Sequence, residues 1–112
     1  MAGRQGEVWW GPAPHKSGPA YRPWLQVNNG SHPFSEVECI VVGMTTRDHP
    51  DGIAVPDEAW IRGGTEKDAH VSPWYVTTIK RRDLDTRQGE LAESLVAETV
   101  EALHGYARLR AA

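Results

Sequence analysis

Tyr21-Arg22-Pro23-Trp24-Leu25-Gln26-Val27-Asn28-Asn29 sets one arginine against a proline immediately before an apolar strand that ends in two asparagines. Proline fixes its own φ, lacks an N–H and pushes the preceding residue toward extended backbone, so Arg22 is expected at a rigid strand entrance. A cation held there invites a phosphate. Further along, Ile40-Val41-Val42-Gly43-Met44-Thr45-Thr46 reads as another apolar strand that delivers paired hydroxyls at its end. If the two strands meet, cation and hydroxyls share one anion site.

Working outward, Gly6-Glu7-Val8-Trp9-Trp10 reads as a first strand, because bulky and aromatic side chains suit a half-buried pleated surface. Residues 11–20 hold three prolines and two glycines and are expected to form a loop, on the side of the chain where function often lies. The second strand is expected over 24–27, a turn over 28–35 and the third strand over 37–45. Asp48-His49-Pro50-Asp51-Gly52 is a turn signal. Ile53-Ala54-Val55 and Ala59-Trp60-Ile61 are short apolar pieces, the latter followed by a chain reversal at Arg62-Gly63-Gly64. Residues 71–79 are β-rich, and Pro73 within them suits an edge, a bulge or a strand that begins just after it.

From Ala92 to about Ala107 the period changes. Leu95, Thr99, Leu103 and Tyr106, with Val96 and Val100 alongside, make one helical face, and Glu93, Glu98, Glu101 and Arg108 lie mostly on the other. Short strands at close spacing closed by one amphipathic helix imply a mainly β fold with a C-terminal helix, a compact SH3-like barrel of mostly antiparallel strands. A chain of 112 residues is one domain by length, so residues 1–112 are read as a single unit.

Composition narrows the function classes. A formal net charge of −3 provides no global basic field, so nucleic acid would have to be met by a local cluster such as Lys80, Arg81 and Arg82. The single cysteine, Cys39, has no partner for an internal disulfide, which favours a reducing cytoplasm; a small core residue is its ordinary role. No apolar run approaches the roughly 20 residues that cross a bilayer, and Met1-Ala2-Gly3-Arg4-Gln5 lacks the apolar core of a signal peptide. A soluble, cytoplasmic protein without membrane contact is expected. The histidines His32, His49, His70 and His104 show no metal-ligand spacing, and neither metal nor cofactor is expected.

In order and spacing these pieces resemble the PemK/MazF family of toxins from bacterial and archaeal toxin–antitoxin modules, over nearly the whole chain. The resemblance rests on Gly6-Glu7-Val8-Trp9, on Arg22-Pro23 with Asn28-Asn29 closing the strand, and on the strand from Ile40 to Thr45. It continues through Thr77-Thr78-Ile79 with the basic stretch after it, and through Gly89-Glu90-Leu91 before the helix. It implies the PemK/CcdB-like barrel plan, two-fold homodimerisation, a cognate antitoxin partner, operator DNA contact only through the antitoxin complex, and metal-independent, sequence-specific cleavage of single-stranded RNA that inhibits translation and growth. By the same resemblance Arg22 and Thr45 align with catalytic residues, and certain members carry a histidine in the region of His15. This chain departs from members that have an acidic residue and an arginine before the Thr-Ile pair, where it has Ser72, Pro73, Trp74 and Tyr75.

The residues themselves fit such chemistry. RNA brings its own nucleophile, the 2′-hydroxyl, so the protein needs only to align the phosphate and answer the charge that builds on it. A fixed guanidinium does this with two hydrogen bonds, which assigns stabilisation to Arg22. Thr45 would hold the phosphate, with Thr46 as a weaker alternative, although both are ordinary strand residues by type. The unperturbed pKa of a histidine would suit His15 to proton transfer near neutrality, and a solvated loop histidine is its equally weighted alternative. Candidate RNA contacts are Thr46, Asn28, Lys16, Trp10, Trp74, Lys80 and Arg81. Trp9, Trp24 and Trp60 are expected in the core, while Trp10, Trp74 and Tyr75 are expected to be exposed for base stacking or a dimer surface. Two other readings stand beside the nuclease: a barrel that binds nucleic acid or antitoxin without cutting, and a gyrase-directed toxin, which the non-aromatic end Arg108-Leu109-Arg110-Ala111-Ala112 disfavours.

Overall fold

The computed structural model describes residues 4–13 and 20–110. His15 and Lys16 lie outside the described residues. The strands are β1 (Glu7–Pro12), β2 (Tyr21–Gln26), β3 (Glu38–Thr45), β4 (Ile53–Val55), β5 (Trp60–Gly63), β6 (Ala69–Lys80) and β7 (Arg87–Leu91), followed by the helix α1 (Glu93–Ala107). All pairings are antiparallel, in one sheet of order β4-β6-β3-β2-β1-β7-β5 that curls into a nearly closed barrel. The expected mainly β barrel with a C-terminal helix is thus the observed fold.

Side-chain alternation explains why the central strands read as continuous apolar runs. Leu25, Val27, Val42 and Met44 point into the main core with Val8, Val71, Leu91, Leu95 and Val96. Trp24, Cys39 and Val41 point to the other face and pack with Ile79, Tyr75 and Leu84 in a second cluster. β2 and β3 are therefore covered on both faces, and a strict apolar and polar alternation would not fit them.

Several boundaries differ from the sequence expectation. β1 and β2 form a hairpin ladder out to Pro12 opposite Tyr21, so Gly11 and Pro12 belong to a strand and not to the loop. Arg22 and Pro23 lie inside β2, paired with Gly11 and Trp10, instead of marking its entrance. β7 was not expected as a strand; glycine and charged residues hide it, and only its ladders to β1 and β5 define it. β5 also continues through Arg62 to Gly63, and the reversal follows at Gly64.

Pro73 sits in an inner strand and not at an edge. As β3 advances from Val42 to Met44, β6 runs from Val76 back to Val71, and the looped-out residues 72–75 form a bulge that tolerates a residue without an N–H. On α1 only Leu95, Val96 and Thr99 are buried and Ala102 and Leu103 pack partly buried against the core, while Val100 and Tyr106 are 39% and 55% exposed. Trp24 is fully buried as expected, while Trp9 and Trp60 are half-buried. Among the described residues no helix is long and apolar enough to cross a membrane, and no group of three or more His, Cys, Asp or Glu could hold a metal ion.

Candidate active site

Because Trp24 pairs with Gly43 across β2 and β3, the same face carries Arg22 two residues before Trp24 and Thr45 two residues after Gly43. The start of β2 and the end of β3 therefore bring these two side chains to one rim of the sheet. Gly43 leaves room there for an aromatic ring: a Cβ built on it would stand 2.8 Å from Tyr75 Cδ2. Tyr75, turned inward by the β6 bulge, meets Trp24 edge-on with ring centroids 5.2 Å apart. The Arg22 guanidinium carbon lies 4.8 Å from the centre of the Tyr75 ring and 6.0 Å from that of Trp24. Its Nε is buried and has no hydrogen-bond partner among the described residues. A planar cation braced by two rings, with a donor left unsatisfied, is arranged to receive an anion.

Thr45 is oriented by the turn that follows it. The Arg47 N–H donates to Thr45 Oγ1 at 3.1 Å, which leaves the threonine hydroxyl proton free to donate elsewhere. Arg22 and Thr45 line two clefts in common. The first, of about 590 Å³, is completed by Arg47, Asp48, His49, Ser72, Trp74 and Tyr75. The second, of about 530 Å³, includes Trp10, Tyr21, Thr46, Thr65 and Gln88.

Each cleft carries an aromatic wall. In the first, Trp74 is 42% exposed and its ring centroid lies 4.8 Å from that of His49. The Asp51 N–H donates to His49 Nδ1 at 3.0 Å, so the ring proton sits on Nε2, where it can donate. In the second, Trp10 and Tyr21 are nearly parallel, 6.1 Å apart at 21°. Asp48 Oδ1 also lies 3.6 Å from Nε2 of His70, which occupies the strand position directly opposite Thr45.

The sequence candidates divide by place. Arg22, Thr45, Thr46, Trp10 and Trp74 gather at the two clefts. Trp10 and Tyr75 are half-buried where exposure was expected. Asn28 is buried and its side chain is committed to backbone: Oδ1 accepts from Ile40 N–H at 2.9 Å and Nδ2 donates to the Asn29 carbonyl at 3.1 Å. Lys80 and Arg81 lie at the far end of β3, where Glu38 pairs with Lys80, while Thr45 pairs with His70 at the cleft end. Lys80 Nζ meets Glu38 Oε1 at 3.2 Å, and Arg81 donates to Ser35 O at 2.7 Å and to Gln26 Oε1 at 3.2 Å. The structure does not bring these three to Arg22.

Sequence reading missed Arg47, Asp48, His49, Ser72 and Gln88. The run Arg47-Asp48-His49 directly after Thr45-Thr46 is a usable signal, since residues just beyond a site-bearing strand share its rim, whereas the turn signal alone begins at Asp48. Gln88 had no such signal.

No protein-family model matches the sequence, and no curated protein matches it. Solved structures do share the fold. An endoribonuclease from a mycobacterial species superposes with a TM-score of 0.74 at 19% identity, over 100% of this chain and 97% of that one. The structure of an endoribonuclease in complex with its cognate antitoxin, from a mycobacterial species, gives 0.71 at 20% identity over 99% and 98%. MazF from Deinococcus radiodurans gives 0.76 at 14% identity over 97% and 99%. The chain therefore has the fold of MazF-type toxin endoribonucleases along its whole length.

Proposed function

We propose that this chain is the toxin of a toxin–antitoxin pair and acts as an endoribonuclease on single-stranded RNA, halting translation and growth. The observation that carries the reading is the Arg22 guanidinium, braced on Tyr75 and Trp24 with a buried unpartnered Nε, beside Thr45 at the junction of two clefts. The likeness in fold to endoribonucleases, one of them bound to an antitoxin, supports it.

In the proposed reaction the 2′-hydroxyl of the substrate attacks the adjacent phosphorus. The 2′-O to P bond forms, the P to 5′-O bond breaks, and the 2′-proton leaves to solvent or to a base while the 5′-oxygen takes up a proton. The products are a 2′,3′-cyclic phosphate and a 5′-hydroxyl. Arg22 stabilises the charge on the non-bridging oxygens, the Thr45 hydroxyl donates to the same phosphate, and Arg47 adds positive potential. The nucleophile belongs to the substrate, so the mechanism requires no metal or cofactor. His15 is the further candidate for proton transfer or RNA contact. The functional unit is a homodimer in the cytoplasm, its antitoxin occupies the same clefts through an added helix or strand, and DNA contact belongs to the antitoxin complex.

The test is incubation of the purified protein with a long single-stranded RNA in EDTA, followed by mapping of new ends. Discrete cuts leaving 5′-hydroxyls are expected. RNA that stays intact would replace this reading by the non-catalytic barrel.

A further inference from the structure

The second cleft contains a group that the proposed phosphate chemistry does not use. Gln88 is the extra residue of a β-bulge: β1 steps from Val8 to Trp9 while β7 steps from Gly89 to Arg87. Bulges re-aim a side chain, and here the backbone that re-aims it is held on the other side by β5. The Gly64 N–H donates to the Gln88 carbonyl at 3.3 Å. Gly63, at φ 70°, allows this approach, since a Cβ there would fall 2.0 Å from the Gln88 carbonyl oxygen. The side chain so placed has a buried Oε1 with no hydrogen-bond partner among the described residues.

An orphaned buried carboxamide oxygen is uncommon in a folded protein and points to a partner that arrives with a ligand. A carboxamide presents an acceptor and a donor side by side, which is the complement of a nucleobase edge. The same cleft supplies the face such a base needs: Tyr21 is 46% exposed and lies nearly parallel to Trp10. The cleft also reaches Arg22 and Thr45, so an occupant is next to the phosphate held there.

We infer that the cleft between Trp10, Tyr21 and Gln88 is a nucleobase pocket for one unpaired base adjacent to the phosphate at Arg22, and that Gln88 reads the edge of that base. The inference rests on the proposed action on RNA and makes Gln88 a specificity residue for it. Stacking on Tyr21 and Trp10 tolerates any base, whereas the amide discriminates by the order of donor and acceptor.

Two experiments separate this inference from the reading beneath it. In the first, the protein and its Gln88→Glu and Gln88→Leu variants cut a pool of random single-stranded RNA, and the new ends are sequenced. The wild type is expected to show a base preference at one position beside the cut. Both variants, with unchanged circular dichroism, are expected to flatten or switch it at least tenfold while preferences at other positions persist. In the second, binding of 2′-O-methyl oligonucleotides that differ at one base is measured by tryptophan fluorescence. Gln88→Leu is expected to level their affinities, and Trp10→Ala to weaken all of them by roughly tenfold. If the wild type leaves RNA intact, the nuclease reading falls and the binding arm alone decides the pocket. Folded Gln88 variants that keep the wild-type preference in both assays, or a wild type that ranks no base above another, would overturn the inference.

Discussion

Replacing Arg22 by alanine should separate stability from activity. In the folded state the guanidinium lies 4.8 Å from the Tyr75 ring centre and 6.0 Å from that of Trp24, an attraction worth about 0.5–1 kcal/mol at a partly exposed site. Against it stands the buried Nε without a partner, a cost of about 1–3 kcal/mol that alanine removes. The two contributions offset, so the unfolding free energy should change by less than about 1 kcal/mol, or rise. Activity behaves otherwise, because loss of a fixed donor to a developing oxyanion costs about 100- to 1,000-fold in rate. The assay pairs urea unfolding with initial rates on a fluorogenic single-stranded RNA. Arg22→Lys, which keeps the charge but not the planar fork, should fall between the two. A loss of about 3 kcal/mol or more in stability would make Arg22 a structural residue, and unchanged cleavage by a folded Arg22→Ala protein would remove it from the mechanism.

Gly43→Ala tests the support beneath Arg22: the new methyl would stand 2.8 Å from Tyr75 Cδ2, so the ring must shift. The expected result is a loss of about 1–3 kcal/mol in unfolding free energy and a fall of about tenfold in cleavage rate; a variant with normal values of both would show that the Tyr75 brace is unimportant. Glu7 contributes to acid stability. Burial alone would push its carboxyl up, but hydrogen bonds from the Arg4 N–H, the Arg87 guanidinium and the Trp9 indole outweigh it and hold the group below the ordinary carboxylate value. Glu7 therefore contributes stability that is fully present above about pH 4.5 and is lost as pH falls through its lower folded value. Urea midpoints measured from pH 7 to pH 3 should fall less steeply with acid for Glu7→Gln than for the wild type, and parallel curves would contradict the assignment.

Much of the fold was legible because its signals are local. Residues 37–45 announce β3 by composition alone, and the switch to a helical period after Ala92 marks α1 within a residue of its observed start. β7 was not legible, since Arg87-Gln88-Gly89-Glu90-Leu91 has little strand propensity and is a strand only through its partners. Part of the candidate site was legible in the same way. Arg22 and Thr45 stand out by residue type next to strand signals, whereas Asn28 and Arg81 were chosen by type and turn out to brace backbone and a side-chain amide far from the clefts.

By itself the sequence determined, β7 and several strand ends apart, where the chain extends and where it coils, and which side chains of reactive type lie near strand ends, because those depend on φ preferences and on a period read along the chain. Only the tertiary structure decided that Arg22 rests on Tyr75 above Gly43, that residues 72–75 loop out, and that Gln88 is turned into a cleft. The reason is register: whether a strand carries a bulge, and so which face a side chain occupies, is set by the count of residues on the partner strand. Those partners lie far away in sequence, where local preference has no reach.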